Sequence, residues 1–195
     1  RWTCGFERSN LFAMRNAQGT PAIIAGDSQA IFDRVFLGKG VFSENWLQQL
    51  INDHPSILPL AEIEPGFGTP VAAAMEVSTA HGYIDNLFLT PGGEIVLVEA
   101  KLWSNVESRR KVVAQALDYV AALTGQDYSS FERMVMAARG STGLQTLHGL
   151  VAEHADALGE PAFIDAVSRN LQHGRMVVIV LGDGIRSEAR ALAQL

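Results

Sequence analysis

The stretch that decides the fold is Gly82-Tyr-Ile-Asp-Asn-Leu-Phe-Leu-Thr-Pro-Gly-Gly-Glu-Ile-Val-Leu-Val-Glu-Ala-Lys-Leu102. Two apolar runs rich in Ile, Leu, Val and Phe flank Thr90-Pro91-Gly92-Gly93, a combination that predicts a β-hairpin. Side chains alternate faces along a strand, so Ile95, Leu97, Glu99 and Lys101 share one face and Val96, Val98 and Ala100 the other. Both faces are apolar, which marks a strand covered on both sides. A three-residue loop, Pro91 to Gly93, with Thr90 facing Glu94 and a glycine bulge, places Asp85 directly opposite Glu99. Two facing carboxylates repel unless a cation or a proton lies between them. A hard divalent ion such as Mg²⁺ takes oxygen ligands of this kind, and Lys101 on the same face would be a third member.

Outward from the hairpin, Ser43 caps a helix with Glu44 in its first turn, and Trp46, Leu47, Leu50 and Ile51 recur at helical spacing. That helix should end before Pro55. Residues 57–63 and 71–79 read as strands, separated by the Pro65-Gly66-Phe67-Gly68 loop. From about Val106 to Leu123 the pattern turns helical, and 127–170 reads as further helices broken at Gly140 to Gly143. The unbroken apolar run in RMVVIVLGDG, 175–184, is a buried strand, and Ile185 to Leu195 opens a last amphipathic helix. Residues 11–25 suggest a short hairpin, LFAMRN and AIIAG around Ala17-Gln-Gly-Thr-Pro21. The order of elements implies an α/β layer with a mixed sheet.

The residues resemble the PD-(D/E)XK phosphodiesterase superfamily. Asp85 followed by Glu99-Ala100-Lys101 at the end of the next strand carries the likeness, and Gln115-Ala-Leu-Asp-Tyr119 on the following helix resembles the QxxxY element of a subset. Gln115 and Tyr119, four apart, share a helical face. The run Glu107 to Tyr119 also looks like uncharacterised or archaeal-type DNA-repair members of that group. The literal Pro-Asp dipeptide is absent, Ile84 standing before Asp85. The resemblance covers about 43–124, and 175–195 more loosely.

It implies a restriction-endonuclease-like mixed β-sheet flanked by helices, with 127–170 as a helical insertion before the last core strand. A single domain over 1–195 follows, with 1–40 as a hairpin extension. It further implies Mg²⁺ or Mn²⁺ held by Asp85, Glu99 and the Ala100 carbonyl, with Lys101 assisting the attacking water or the phosphate. Glu44 would hold a second metal through water, and Gln115 would position water or phosphate. Arg109 and Arg110 would contact substrate phosphates, and Tyr119 would meet the substrate or brace the site. The implied partner is DNA, with RNA as the alternative, and a catalytically silent nucleic-acid-binding or scaffolding module is the competing function.

Plainer readings stand beside these. Glu99 and Lys101 could be a strand-end salt bridge in an unrelated α/β domain. Glu44 equally suits a helix dipole, Tyr119 a packed aromatic, and Arg109 and Arg110 a solvated helix face. Glu62, Glu64 and Glu76 fit edge solubility better than a site. His81 reads as a loop residue, and His54, His148, His154 and His173 lack ligand spacing. Gly182-Asp183-Gly184 lacks a phosphate-loop pattern.

Bulk properties set limits. The 195 residues are 48% hydrophobic, enough for a substantial core. Only 18% are charged, which suggests a covered face and leaves a homodimer open. A lone cysteine, Cys4, excludes an internal disulfide and a cysteine zinc site and fits a reducing, cytoplasmic setting. No apolar run is long enough to span a bilayer. The chain begins Arg-Trp-Thr-Cys-Gly without Met or a signal pattern, which reads as a fragment or a trimmed chain. A net charge of -6 weighs against a tight non-specific DNA binder, although Lys101, Arg109, Arg110 and Lys111 outnumber Glu107 beside the site.

Overall fold

The computed structural model describes residues 22–25, 28–31, 42–102, 108–141 and 145–182. The chain divides into two compact units, Arg1–Phe36 and Leu37–Leu195. In the first unit, β1 (Ala22–Ala25) and β2 (Ser28–Ile31) pair antiparallel. The expected strand AIIA is therefore present and pairs with the segment after it. The expected pairing with 11–16 lies outside the described residues, as does the terminal helix from Ile185.

The second unit holds a four-stranded mixed sheet in the order β3 (Val71–Thr79), β4 (Gly82–Leu89), β5 (Ile95–Lys101) and β6 (Met176–Gly182). The first three strands run antiparallel, while β6 lies parallel to β5. The β4–β5 hairpin has the expected offset, with Leu89 facing Ile95 and Asn86 facing Val98. Its loop closes through Thr90 N–H to the Glu94 carbonyl at 3.1 Å and Gly93 N–H to the Thr90 carbonyl at 2.9 Å. Gly93 adopts φ +84, where a side chain would be strained.

Helices cover both faces, which explains why the strand sequences are apolar on both faces away from the acids of β3, β4 and β5. On one face, α3 (Ser108–Leu123), α4 (Tyr128–Ala138), α5 (Leu147–Val151) and α6 (Glu160–His173) bring Tyr119, Leu123, Phe131, Phe163 and Val167 onto Leu87, Leu89, Ile95 and Leu97. On the other, α1 (Glu44–Asp53) and the following segment set Ile51, Leu58 and Leu60 against Phe88, Val96, Val98 and Ile179. The result is a mixed α/β layer flanked by helices, consistent with a restriction-endonuclease-like arrangement. Among the described residues no helix is long and apolar enough to cross a membrane.

One element departs from expectation. Residues 57–63 are not a strand: a 3-10 turn at Pro55–Ile57 leads into α2, Leu60–Ile63. Pro55 and Pro59 lack an N–H and hold φ near −65°, which suits first turns of helices and denies a sheet its ladder bonds. Leu58, at the end of the 3-10 turn, and Leu60, at the start of α2, are buried all the same. The strand expected at 71–79 and the helical character of 127–170 are both present.

Candidate active site

The three antiparallel strands meet in one transverse row. In β3–β4, Met75 faces Asn86 and Val77 faces Ile84, so the step between them sets Glu76 against Asp85. In β4–β5 the offset that pairs Asn86 with Val98 would set Asp85 against Glu99. The backbone ladder lapses at this level. Glu76 takes a left-handed φ of +50, and the β4–β5 pairing ends at Asn86. Alternation breaks here too, since Ala74 and Val77, and likewise Leu87 and Ile84, reach the same core although three residues apart. Beyond this point β5 continues only with β6, from Glu99 beside Val180 to Lys101 beside Gly182. The Asp85 side chain replaces the missing rung, its Oδ2 accepting from Ala100 N–H at 2.8 Å. The strands thus part around two carboxylates, Asp85 and Glu99.

The two acids are costly where they lie. Glu99 is only 5% exposed, and its Oε2 has no hydrogen-bond partner. Burial, then the charge of Asp85, pushes its pKa up to about 8, against the pull of Lys101. Burial also raises the pKa of Asp85, opposed by bonds from the Ala100 N–H and the Gln48 side chain. Both acids also feel the charges of Glu76 and Glu44. A site of this kind favours a proton or a cation between its oxygens.

Helix α1 supplies the next layer. Ser43 caps it, accepting from Trp46 N–H at 3.0 Å, and Glu44 follows in the first turn. The Glu44 carboxylate takes Lys101 Nζ at 2.9 Å on Oε1 and 3.0 Å on Oε2, and also the Leu102 N–H at 3.0 Å. Lys101 and Glu44 keep about a third of their side-chain surface in solvent, at 33% and 37%. Asn86, fully buried, donates from Nδ2 to the Gln48 carbonyl at 3.1 Å and ties α1 to the sheet.

Helix α3 approaches from the other face. Gln115 Nε2 donates to the Tyr119 hydroxyl, which in turn donates to the Tyr83 carbonyl at 2.5 Å. Tyr119 is enclosed, 1% exposed, so this hydroxyl locks β4 to α3 just before Asp85. The structure thus brings Asp85, Glu99 and Ala100 together, joins Lys101 to Glu44, and joins Gln115 to Tyr119. The side chains of Arg109 and Arg110 lie outside the described residues.

One participant, Gln48, was not singled out from the sequence; it lies four residues after Glu44, hence on the same helical face, and that spacing was the available signal. Glu76 reads in the sequence as an edge-solubility residue, and its left-handed backbone leaves no trace in the pattern.

Among the described residues no three His, Cys, Asp or Glu side chains converge as a metal cluster. A cation here would take two carboxylates, a backbone carbonyl and water. That all-oxygen set, with an unpartnered buried Oε2, fits Mg²⁺ or Mn²⁺.

No family model matches the chain, and no curated protein matches it. A solved structure of an EndoMS–dsDNA2 complex aligns with 16% identity and a TM-score of 0.27, over 81% of this chain and 53% of that one. The chain therefore spans about half the length of that neighbour. At this distance the reading of the site rests on its own geometry.

Proposed function

We propose that the chain is a divalent-metal-dependent phosphodiesterase of the PD-(D/E)XK type, acting on DNA. The observation that carries the reading is the buried, unpartnered Glu99 Oε2 beside Asp85 where β4 and β5 part. Asp85 and Glu99, with the Ala100 carbonyl, would hold Mg²⁺ or Mn²⁺. When bound, such an ion supplies Lewis acidity toward a phosphate oxygen and acidifies water.

The chain's own groups do the rest. The Ala100 N–H holds the Asp85 carboxylate in place before any ligand arrives. Glu44 holds the Lys101 ammonium at the strand end, where it meets negative charge growing on a phosphate. The Gln115–Tyr119–Tyr83 chain sets the position of β4 relative to α3, and Gln115 lies within this network to orient water or phosphate. Arg109 and Arg110, at the start of α3, are assigned to substrate phosphates.

A second reading has its own support. The Lys101–Glu44 pair satisfies both charges without a substrate, as a silent nucleic-acid-binding module would have it. Cleavage of labelled DNA and RNA with Mg²⁺ or Mn²⁺ separates the two. Asp85→Ala and Lys101→Ala should each lower the rate at least about 100-fold, the scale of losing one electrostatic contact to the transition state. If wild type cleaves no faster than both variants on every substrate, the silent module replaces the enzyme.

A further inference from the structure

Glu76 occupies a place that its exposure alone does not explain. It continues the transverse row Glu76–Asp85–Glu99, one residue from each of three neighbouring strands. Its backbone is left-handed, φ +50, and it is the described non-glycine residue with positive φ. Glycine or asparagine would hold that conformation more easily, so a glutamate is retained there against a conformational cost. Among the described residues it forms no ion pair. An acid serving only to keep an edge strand soluble needs neither this position nor this backbone.

A separate observation supplies the missing counterpart. The Glu99 side chain is 5% exposed and its Oε2 is unpartnered, which leaves a buried carboxyl oxygen of the row open to a ligand. Adjacent strands lie about 4.8 Å apart, so the outer member of such a row stands about 10 Å across the sheet from Glu99. Among the described residues no three such acids converge on one point, so Glu76 does not join Asp85 and Glu99 as a direct ligand. Mg²⁺ keeps several waters when only one or two carboxylates bind it. We propose that Glu76 is an outer-sphere positioning residue of the cation site, accepting hydrogen bonds from water on an ion held by Asp85 and Glu99. The inference rests on the metal-site reading given above and extends it to a strand that the reading left out.

Mn²⁺ binding to the full chain, followed by calorimetry, tests this without any substrate. Glu76→Gln should weaken Mn²⁺ binding roughly tenfold, the usual effect of losing an outer-sphere partner. Glu76→Gly should weaken it equally while raising the thermal midpoint in chelator, because glycine relaxes the backbone. That divergence between stability and affinity is what a merely structural glutamate would not produce. If both Glu76 variants bind Mn²⁺ like wild type while Asp85→Asn does not, the role of Glu76 is overturned and the metal site stands. If Asp85→Asn also binds like wild type, the metal site itself is overturned and Glu76 with it.

Discussion

At the scale of single residues, Glu99 sets the pH behaviour. Its pKa is about 8 in the folded chain against an ordinary 4.5. Below pH 4.5 both folded and unfolded chains hold the proton, and the group is neutral toward stability. Between about 4.5 and 8 the unfolded chain releases it while the folded chain keeps it. Stability therefore falls as pH rises through this window, at most by about 1.4 kcal/mol per pH unit for one proton. Urea melts in chelator should show that decline, and Glu99→Gln should flatten it while removing cleavage. A slope unchanged by the substitution would show that Glu99 is not the group responsible. The sequence exposed Asp85, Glu99 and Lys101 because a short loop leaves one register, and register assigns faces. It hid how their charges are shared: Glu44 is bound to Lys101 and the Leu102 N–H, a partnership between α1 and β5 that spacing along the chain does not encode.

Elements were legible where one strong local rule governed them. Thr90-Pro91-Gly92-Gly93 specified its hairpin, and Gly93 shows why: a Cβ there would lie 2.9 Å from the Ala166 Cβ and 3.3 Å from the Phe163 carbonyl, on a backbone at φ +84. Gly93→Ala should cost about 1–3 kcal/mol, the range for overpacking, read as a lower urea midpoint at unchanged slope. A smaller loss would mean that α6 moves aside freely. Residues 57–63 read as a strand because Leu58 and Leu60, two apart, mimic strand alternation, while Pro55 and Pro59 open the short helical turns that form instead. The lapse at Glu76 and Asp85 was out of reach for a different reason. It arises from strands pairing across the sheet and leaves no trace in composition.

For the molecule as a whole, the acidity foreseen as an obstacle to DNA binding gains a physical place. Part of the -6 net charge lies in the row of acids and in Glu44, around the point where a phosphate would arrive. DNA association should consequently be weak in chelator and at least about tenfold tighter with Ca²⁺, a hard cation that takes the same oxygen ligands. Fluorescence anisotropy on a labelled duplex reads this directly. Equal affinity in both conditions would separate DNA binding from the carboxylates.

The β3 margin of the same sheet has a quieter safeguard. The Arg139 guanidinium, at the end of α4, donates to the carbonyls of Ala72 and Ala73 at 3.2 and 2.9 Å, where β3 shifts register. Among the described residues strand β3 ends the sheet on that side, and a terminal strand normally offers such oxygens to any extended peptide that drifts alongside. Here a planar cation already fills them at a kink, so a foreign segment meets a blocked and crooked rail. Growth of the sheet into fibrils is hindered at that margin by one side chain borrowed from a helix.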